Sequence, residues 1–351
     1  MYLTQRGVKP PPPQSSFATL VADLSEEPGY FDTDNLISNE RSYLHVVPEL
    51  RALADHNGRG VYLGVGPGQN FSYIAHLRPS LAIVIDIRRE NLLLHLLFKA
   101  LFAESRTRVE YLAMLTGRPP PPARTNWKLR SIDEIVDHID RTPPLGETDL
   151  RATRGRLTHR IDSFGVPLND GDRATIDRFH RRFIAGGLSL QFNTFGRPPQ
   201  YGYPDLRDLL LEADTRGTQR SYLASEDDFQ FVKRLQAEDR IVPIVGDLSG
   251  GTALAAVAGF LSQSNLRVAA FYTSNVEFYL FRTGRFGTFI ANLQRLPRLP
   301  GSVIVRSVFG GRGAGAGRLA GYNSASLTQP IGELVDGYAG GRFRDYRDLA
   351  R

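Results

Sequence analysis

Three glycines spaced two apart, Gly64, Gly66 and Gly68, end the apolar run "VYLGVGPGQN" at residues 61–70. Glycine tolerates a positive φ and leaves the main chain bare, so a ligand can approach the backbone at such a turn. Gln69 and Asn70 follow and open a predicted helix, whose first N–H groups have no intrahelical partner. The pattern is G-x-G-x-G. A dinucleotide fingerprint would need a glycine where Gln69 stands, and the lysine and Ser/Thr of a P-loop are missing. A plain tight turn is the alternative reading.

Candidate carboxylates sit at the ends of later apolar runs. Asp86 closes "LAIVIDI", 18 residues past Gly68. An acid there can accept hydrogen bonds from two ribose hydroxyls, or cap the helix that follows, or do both. Arg88 and Arg89 come next, either to pair with Asp86 or to bind an acidic part of a ligand. In "VGDLSGG", 245–251, Asp247 can read the amino edge of adenine or cap a helix beginning near Thr252. In "FYTSNVEFYLF", 271–281, Asn275 can hold an acceptor amine or hydroxyl, and Glu277 can act as a base if burial raises its pKa. Against that, Asn275 suits an N-cap and the aromatics suit a core. Upstream, "SNERSYLHV" can fold back over the ligand mouth and bring Asn39, Glu40 and Tyr43 to it, or be an ordinary helix entry.

Other chemistries find no support. The chain has no cysteine, which excludes disulfides, thiolate metal sites and cysteine nucleophiles. Its seven histidines form no H-x-x-x-H or H-E-x-x-H pair, so no metal site is expected, and no G-x-S-x-G elbow occurs. With 41% hydrophobic and 23% charged residues over 351 positions, the composition is that of a globular protein. The net charge is +6, and only four of the 43 basic residues are lysine. An arginine excess can mark phosphate or nucleic-acid contact, but these arginines are scattered among acids, which disfavours a nucleic-acid partner. No apolar run approaches the ~20 residues of a membrane span, and the N-terminus lacks a signal-peptide core, so the expected location is the cytoplasm.

The elements that must position these residues alternate. Residues 1–33, with "PPPP" at 10–13, read as an extended arm. Within 34–105 the pattern gives a helix over 47–56, a strand over 60–64, a helix over 69–77, a strand over 81–87 and a helix over 88–105 that is apolar around most of its circumference. Residues 106–238 read as a mostly helical insertion, with proline-rich connections and amphipathic pieces at 131–140 and 172–185. Alternation resumes over 239–351, with strands near 240, at 267–272 and at 302–309. The fold expected is α/β: a Rossmann-like, doubly wound, mostly parallel sheet with a large insertion.

"VYLGVGPGQN", "IVIDIRREN", "VPIVGDLSGG" and "VAAFYTSNVEF" stand in the order of a class I S-adenosylmethionine-dependent methyltransferase, and about half of the chain resembles that superfamily. With "SNERSYLHVVPEL" and "DIRRENLLLHLLFKALF" added, the pattern is similar to a bacterial family of uncharacterised proteins sharing that core. The resemblance implies S-adenosylmethionine over Gly64, Gly66 and Gly68, its ribose on Asp86 and its adenine beside Asp247; the upstream segment, if it folds over the mouth, sets Asn39, Glu40 and Tyr43 at the methionine end. Two features depart from it: Tyr62 stands where the superfamily places an acid, and the insertion exceeds 130 residues. Methyl transfer to an unknown acceptor is the first functional reading. Aminopropyl transfer and nucleoside binding without turnover are the others. Arg88, Arg89, Arg178, Arg181 and Arg182 would tolerate an anionic acceptor; the oligomeric state is not encoded in any pattern.

Overall fold

A computed structural model describes residues 16–33, 35–57, 60–122, 126–194, 202–309 and 321–350. Its centre is one six-stranded sheet: β1 (Val61–Val65), β2 (Leu81–Asp86), β3 (Ile241–Val245), β4 (Val268–Ser274), β5 (Arg298–Phe309) and β6 (Ser324–Pro330). The spatial order is β3-β2-β1-β4-β5-β6. Neighbouring strands are parallel except β6, which runs antiparallel to β5. The chain builds outward from β1 to β3, then crosses back to β4 on the other side of β1. That reversal leaves a crevice beyond the carboxyl ends of β1 and β4. Val65 pairs with Ile85, so Gly66 and Asp86 leave adjacent strands side by side.

The helices are α1 (Phe17–Leu24), α2 (Val47–Asn57), α3 (Asn70–Leu77), α4 (Arg89–Glu104), α5 (Arg108–Leu115), α6 (Ile132–Arg141), α7 (Glu147–Asp162), α8 (Asp170–Gly186), α9 (Leu206–Leu211), α10 (Glu226–Ala237), α11 (Ala253–Gln263), α12 (Val276–Arg282), α13 (Phe286–Arg295) and α14 (Ile331–Ala339). β1 and β2 are buried on both faces, as continuous apolar runs require. α4 is buried from Asn91 to Phe102, because β3 lies on one side of it and α7, α8 and α10 on others. Among the described residues no helix is long and apolar enough to cross a membrane.

One expectation needs correcting, and two elements carry little sequence signal. Residues 17–24 are helical, not extended. Phe17, Leu20, Val21 and Leu24 are buried at i, i+3, i+4 and i+7, Ser16 caps the helix, and α1 packs on β3 and α11. Each such side chain contributes about 1.5–3 kcal/mol when fully buried, which outweighs the extended reading that the neighbouring prolines suggest. The tetraproline run itself lies outside the described residues. α7 lies within the insertion read as mostly helical but has little signal of its own, because its buried stripe is only Thr153, Leu157 and Ile161 in an otherwise charged sequence. β6 carries little apolar signal in "SASLTQP": its buried residues are Ser324, Ala325 and Ser326.

Candidate functional site

The carboxyl ends of β1 to β4 open into one cavity of about 640 Å³. Gly66, Gln69, Asp86, Arg88, Asp247, Asn39, Glu40 and Asn275 all line it. The segment before η-type turn Arg41–Val46 crosses the strand ends to form one side: the Glu26 N–H donates to the Val245 carbonyl at 3.0 Å and the Gly29 N–H to the Ile87 carbonyl at 2.8 Å. α12 and the turn after it form another side, and Phe192, Thr194 and Tyr203 close in from between α8 and α9.

The glycine turn is built largely from within. Gly66 has φ +80° and lines the cavity, so only glycine sits there without strain. Its carbonyl accepts from Asn70 Nδ2 at 3.2 Å and from His95 Nε2 at 2.9 Å. A carbonyl can only accept, so His95 carries its proton on Nε2. Burial pushes the His95 pKa down to about 4, and the ring stays neutral at physiological pH. Asn70 Nδ2 also donates to the Val65 and Pro67 carbonyls, and its Oδ1 accepts from the Tyr62 hydroxyl at 2.7 Å. Tyr62 is thus a buried buttress of the turn.

Several residues expected at a ligand are placed or partnered otherwise. Asn70 is spent on the turn, and Gly64 lies inside the sheet, where a Cβ would fall 2.6 Å from the Tyr62 hydroxyl. Gly68 does not line the cavity; a Cβ there would meet Phe98 and Phe71 at an ordinary 3.5–3.6 Å. The first amides of α3 are not free either: those of Asn70, Phe71 and Ser72 donate to the carbonyls of Pro67, Gly68 and Gln69. Gly66 and Gly68 therefore respond differently to a methyl group. Gly66→Ala costs about 1–2 kcal/mol for its left-handed backbone, whereas Gly68→Ala is neutral or gains about 0.4–1 kcal/mol from the stiffer unfolded chain. Urea unfolding of the two variants checks this, and equal losses would contradict the assignment.

Asp86 and Arg88 form a nearly buried ion pair. Arg88 donates from its N–H and Nε to Asp86 Oδ1, each at 3.0 Å, and from Nη2 to Oδ2 at 2.8 Å. Arg88 Nη1 donates to the Thr33 carbonyl at 2.8 Å, which ties the crossing segment to the strand end. Arg89 turns away to Asp172. Asp247 accepts from the N–H and hydroxyl of Ser249 and from Arg285 Nη1 at 3.0 Å. It does not cap α11. Glu26 takes that place, accepting from the N–H groups of Asp247 and Ala253; a carboxylate there also complements the helix dipole.

Glu40 is the most unusual group on the cavity. It is 1% exposed, and its partners are hydroxyls: Tyr272 donates to Oε2 at 2.6 Å, Ser307 donates to Oε2 and Ser274 to Oε1. Burial raises its pKa from the usual value, and those three hydrogen bonds only partly oppose the rise. Ser274 holds its hydroxyl there from a left-handed backbone, φ +54°, at a register slip in β4. Such conformations cost about 1–3 kcal/mol and collect at functional sites. Among the described residues two buried oxygens on the cavity find no hydrogen-bond partner, Gln69 Oε1 and Thr33 Oγ1, although their residues are only 8% and 5% exposed.

Glu277 and Tyr43 are structural. Glu277 is fully buried and paired with Arg306, and it does not line the cavity. The Tyr43 hydroxyl donates to the Leu209 carbonyl at 2.8 Å, and its ring packs against Tyr73. Asn275 stands at the N-cap of α12 but makes no side-chain cap bond, leaving its amide at the cavity. The arginines proposed for an anionic acceptor do not gather: Arg181 pairs with Asp177, and Arg178, Arg181 and Arg182 lie on α8, away from the cavity lining. The basic residues that do line it, besides Arg88, are Arg282 and Arg285. Sequence reasoning also missed Phe31, Thr33 and Asn35; the only signal was a polar, aromatic stretch, "GYFDTDN", too early in the chain to belong to a recognised motif.

Residues 36–120 and 205–334 match a family model described as a domain of unknown function (DUF7790). Among curated proteins none matches the chain.

Proposed function

We propose that this chain, which belongs to the DUF7790 family, binds S-adenosylmethionine and transfers its methyl group to an acceptor in the same cavity. The observation that carries the reading is the convergence of the bare Gly66 backbone and the Asp86 carboxylate, from adjacent strands, on that cavity. The order β3-β2-β1-β4-β5 supports a Rossmann-like, doubly wound reading of the sheet, with the cavity at its switch point.

The residues present fit the cofactor. Gln69 Oε1 and Thr33 Oγ1 are buried acceptors left without donors, which an ammonium or hydroxyl group would satisfy. Asp86 Oδ2 takes one hydrogen bond from Arg88 and keeps a lone pair for a ribose hydroxyl. Ile87 and Leu248 offer apolar contact for an adenine, with Asp247 beside them. The cofactor supplies a sulfonium-bound methyl group that needs little activation. The protein's part is to align an acceptor and exclude water, and Phe31, Thr33, Asn35, residues 38–40 and α12 enclose the space in which it would do so. A cytoplasmic location goes with this reading.

Isothermal calorimetry with S-adenosylmethionine and S-adenosylhomocysteine tests it. Binding of both is expected, with a loss of about tenfold or more in Asp86→Asn from the weakened charge-assisted bond. Failure of either compound to bind at millimolar concentration would end the cofactor assignment. A second reading, nucleoside binding without turnover, is favoured by the Arg88 grip on Asp86 and by Tyr62 in the place of an acid. Release of S-adenosylhomocysteine on incubation with cell extract separates the two.

A further inference from the structure

Four aromatic rings line one side of the cavity in an unbroken series. Tyr346 lies 5.5 Å from Phe278, Phe278 5.3 Å from Tyr279, and Tyr279 5.0 Å from Phe31, each pair edge to face. The series has a carboxylate at each end. At one end the Tyr346 hydroxyl donates to the Ser307 carbonyl at 2.9 Å, and the Ser307 hydroxyl in turn donates to Glu40. At the other end Phe31 precedes Thr33, whose carbonyl is held by the Arg88 that grips Asp86.

The carboxylates on the cavity are not equivalent. Asp86 has Arg88 and Asp247 has Arg285, but Glu40 has no cationic partner among the described residues. A carboxylate without a cation in a dry site gains by taking a proton. Its surroundings can then pass the proton on: Ser307 lies 3.4 Å from Ser326, Ser326 3.2 Å from Ser42, and Ser42 2.8 Å from Ser324, a run of hydroxyls that can each donate or accept. Burial also moves Glu40 towards the range in which a base works near neutral pH.

We propose that the acceptor is a phenol, held by the rings of Tyr346, Phe278, Tyr279 and Phe31, and that Glu40 is the catalytic base that takes its proton. This rests on the methyl-transfer reading of the same cavity. The balance is simple: the phenol oxygen gives its proton to a Glu40 oxygen and gains the methyl carbon, and the carbon–sulfur bond breaks to leave a neutral thioether.

Calorimetric titration of the full chain, alone and saturated with S-adenosylhomocysteine, tests the assignment with three probes: 4-methylphenol, which keeps its proton at neutral pH, 4-methylanisole, which lacks it, and cyclohexanol, which lacks the ring. The expected result is that 4-methylphenol binds about tenfold or more tightly than 4-methylanisole, since a site built to accept a hydroxyl proton rejects the analogue without it, and that cyclohexanol does not bind. Glu40→Gln is expected to abolish the preference between the two aromatics. Phe278→Ala is expected to weaken both by about fivefold while keeping the preference. Equal binding of the two aromatics, an undiminished preference in Glu40→Gln, or no aromatic binding to a protein that binds S-adenosylhomocysteine would each overturn the phenol site. Should S-adenosylhomocysteine fail to bind while the Glu40-dependent preference persists, the methyl-transfer reading falls and the phenol site stands. If Glu40→Gln does not fold, Phe278→Ala and the wild-type preference still decide.

Discussion

Arg306→Met destabilises the fold by about 3–5 kcal/mol, and adding Glu277→Leu restores most of the loss. Arg306 and Glu277 are 1% and 0% exposed, and they meet through Nε–Oε2 at 2.5 Å and Nη2–Oε1 at 3.1 Å. The third guanidinium arm donates from Nη1 to Gln329 Oε1 at 2.7 Å on β6. The arginine therefore fastens α12 to β5 and β6 with charged groups that have no water to fall back on. Removing it leaves a carboxylate buried and unpaired, which costs far more than the pair contributes; replacing both partners with apolar side chains removes the problem along with the interaction. Urea unfolding of the two single variants and the double variant measures the coupling. A single-variant loss below about 1 kcal/mol, or a double variant weaker than Arg306→Met, would contradict this account. Because Asn275, Phe278 and Tyr279 are carried on α12, the single variant is also expected to weaken ligand binding, and the double variant to recover it. The same pair explains why Glu277 is a poor choice as a base: its carboxylate is already neutralised.

Local patterns in the sequence were enough to place Gly66 and Asp86, because strand ends and turns are set by adjacent residues. A positive φ at Gly66 and an acid closing β2 are features of two short stretches, and parallel pairing of β1 with β2 brings them together. Gly64 and Gly68 share the spacing but not the role. What separates them is packing: the Tyr62–Asn70 hydrogen bond over Gly64 and the phenylalanines near Gly68. Neither can be read from a glycine repeat. Glu40 was reached only as one of three residues in an upstream segment. Its donors come from positions 272, 274 and 307, so no spacing encodes the cluster. The cap of α11 is a similar case, since Glu26 reaches it from more than 200 residues away. Asp247 was the nearer acid and looked sufficient. Pairing of Arg88 with Asp86 was one of two readings open in the sequence; the reach of Arg89 to Asp172 on α8 was not legible.

Glu40→Gln is expected to make the protein more stable relative to wild type as pH rises. The sign follows from the direction of the shift. Burial holds the Glu40 pKa above its ordinary 4.5, so the folded state keeps this proton more tightly than the unfolded chain does. Below 4.5 both states are protonated and the group's stabilising contribution is fully present; it is lost as pH climbs through the raised folded value. Glutamine resembles the protonated acid in shape and does not titrate. The Tyr272, Ser274 and Ser307 hydroxyls can each turn to donate to its oxygen or accept from its nitrogen. Near pH 4 the variant should therefore unfold close to wild type, and by pH 8 to 9 it should hold an advantage of about 1–3 kcal/mol, the usual cost of a buried group left without full compensation. Thermal unfolding of both proteins across pH 4 to 9 measures the difference directly. A gap that stays flat, or that grows in favour of wild type, would mean that Glu40 is already compensated by a partner and is no proton acceptor. A stability gain together with the loss of phenol preference is the combination expected of a group kept for chemistry at the expense of the fold.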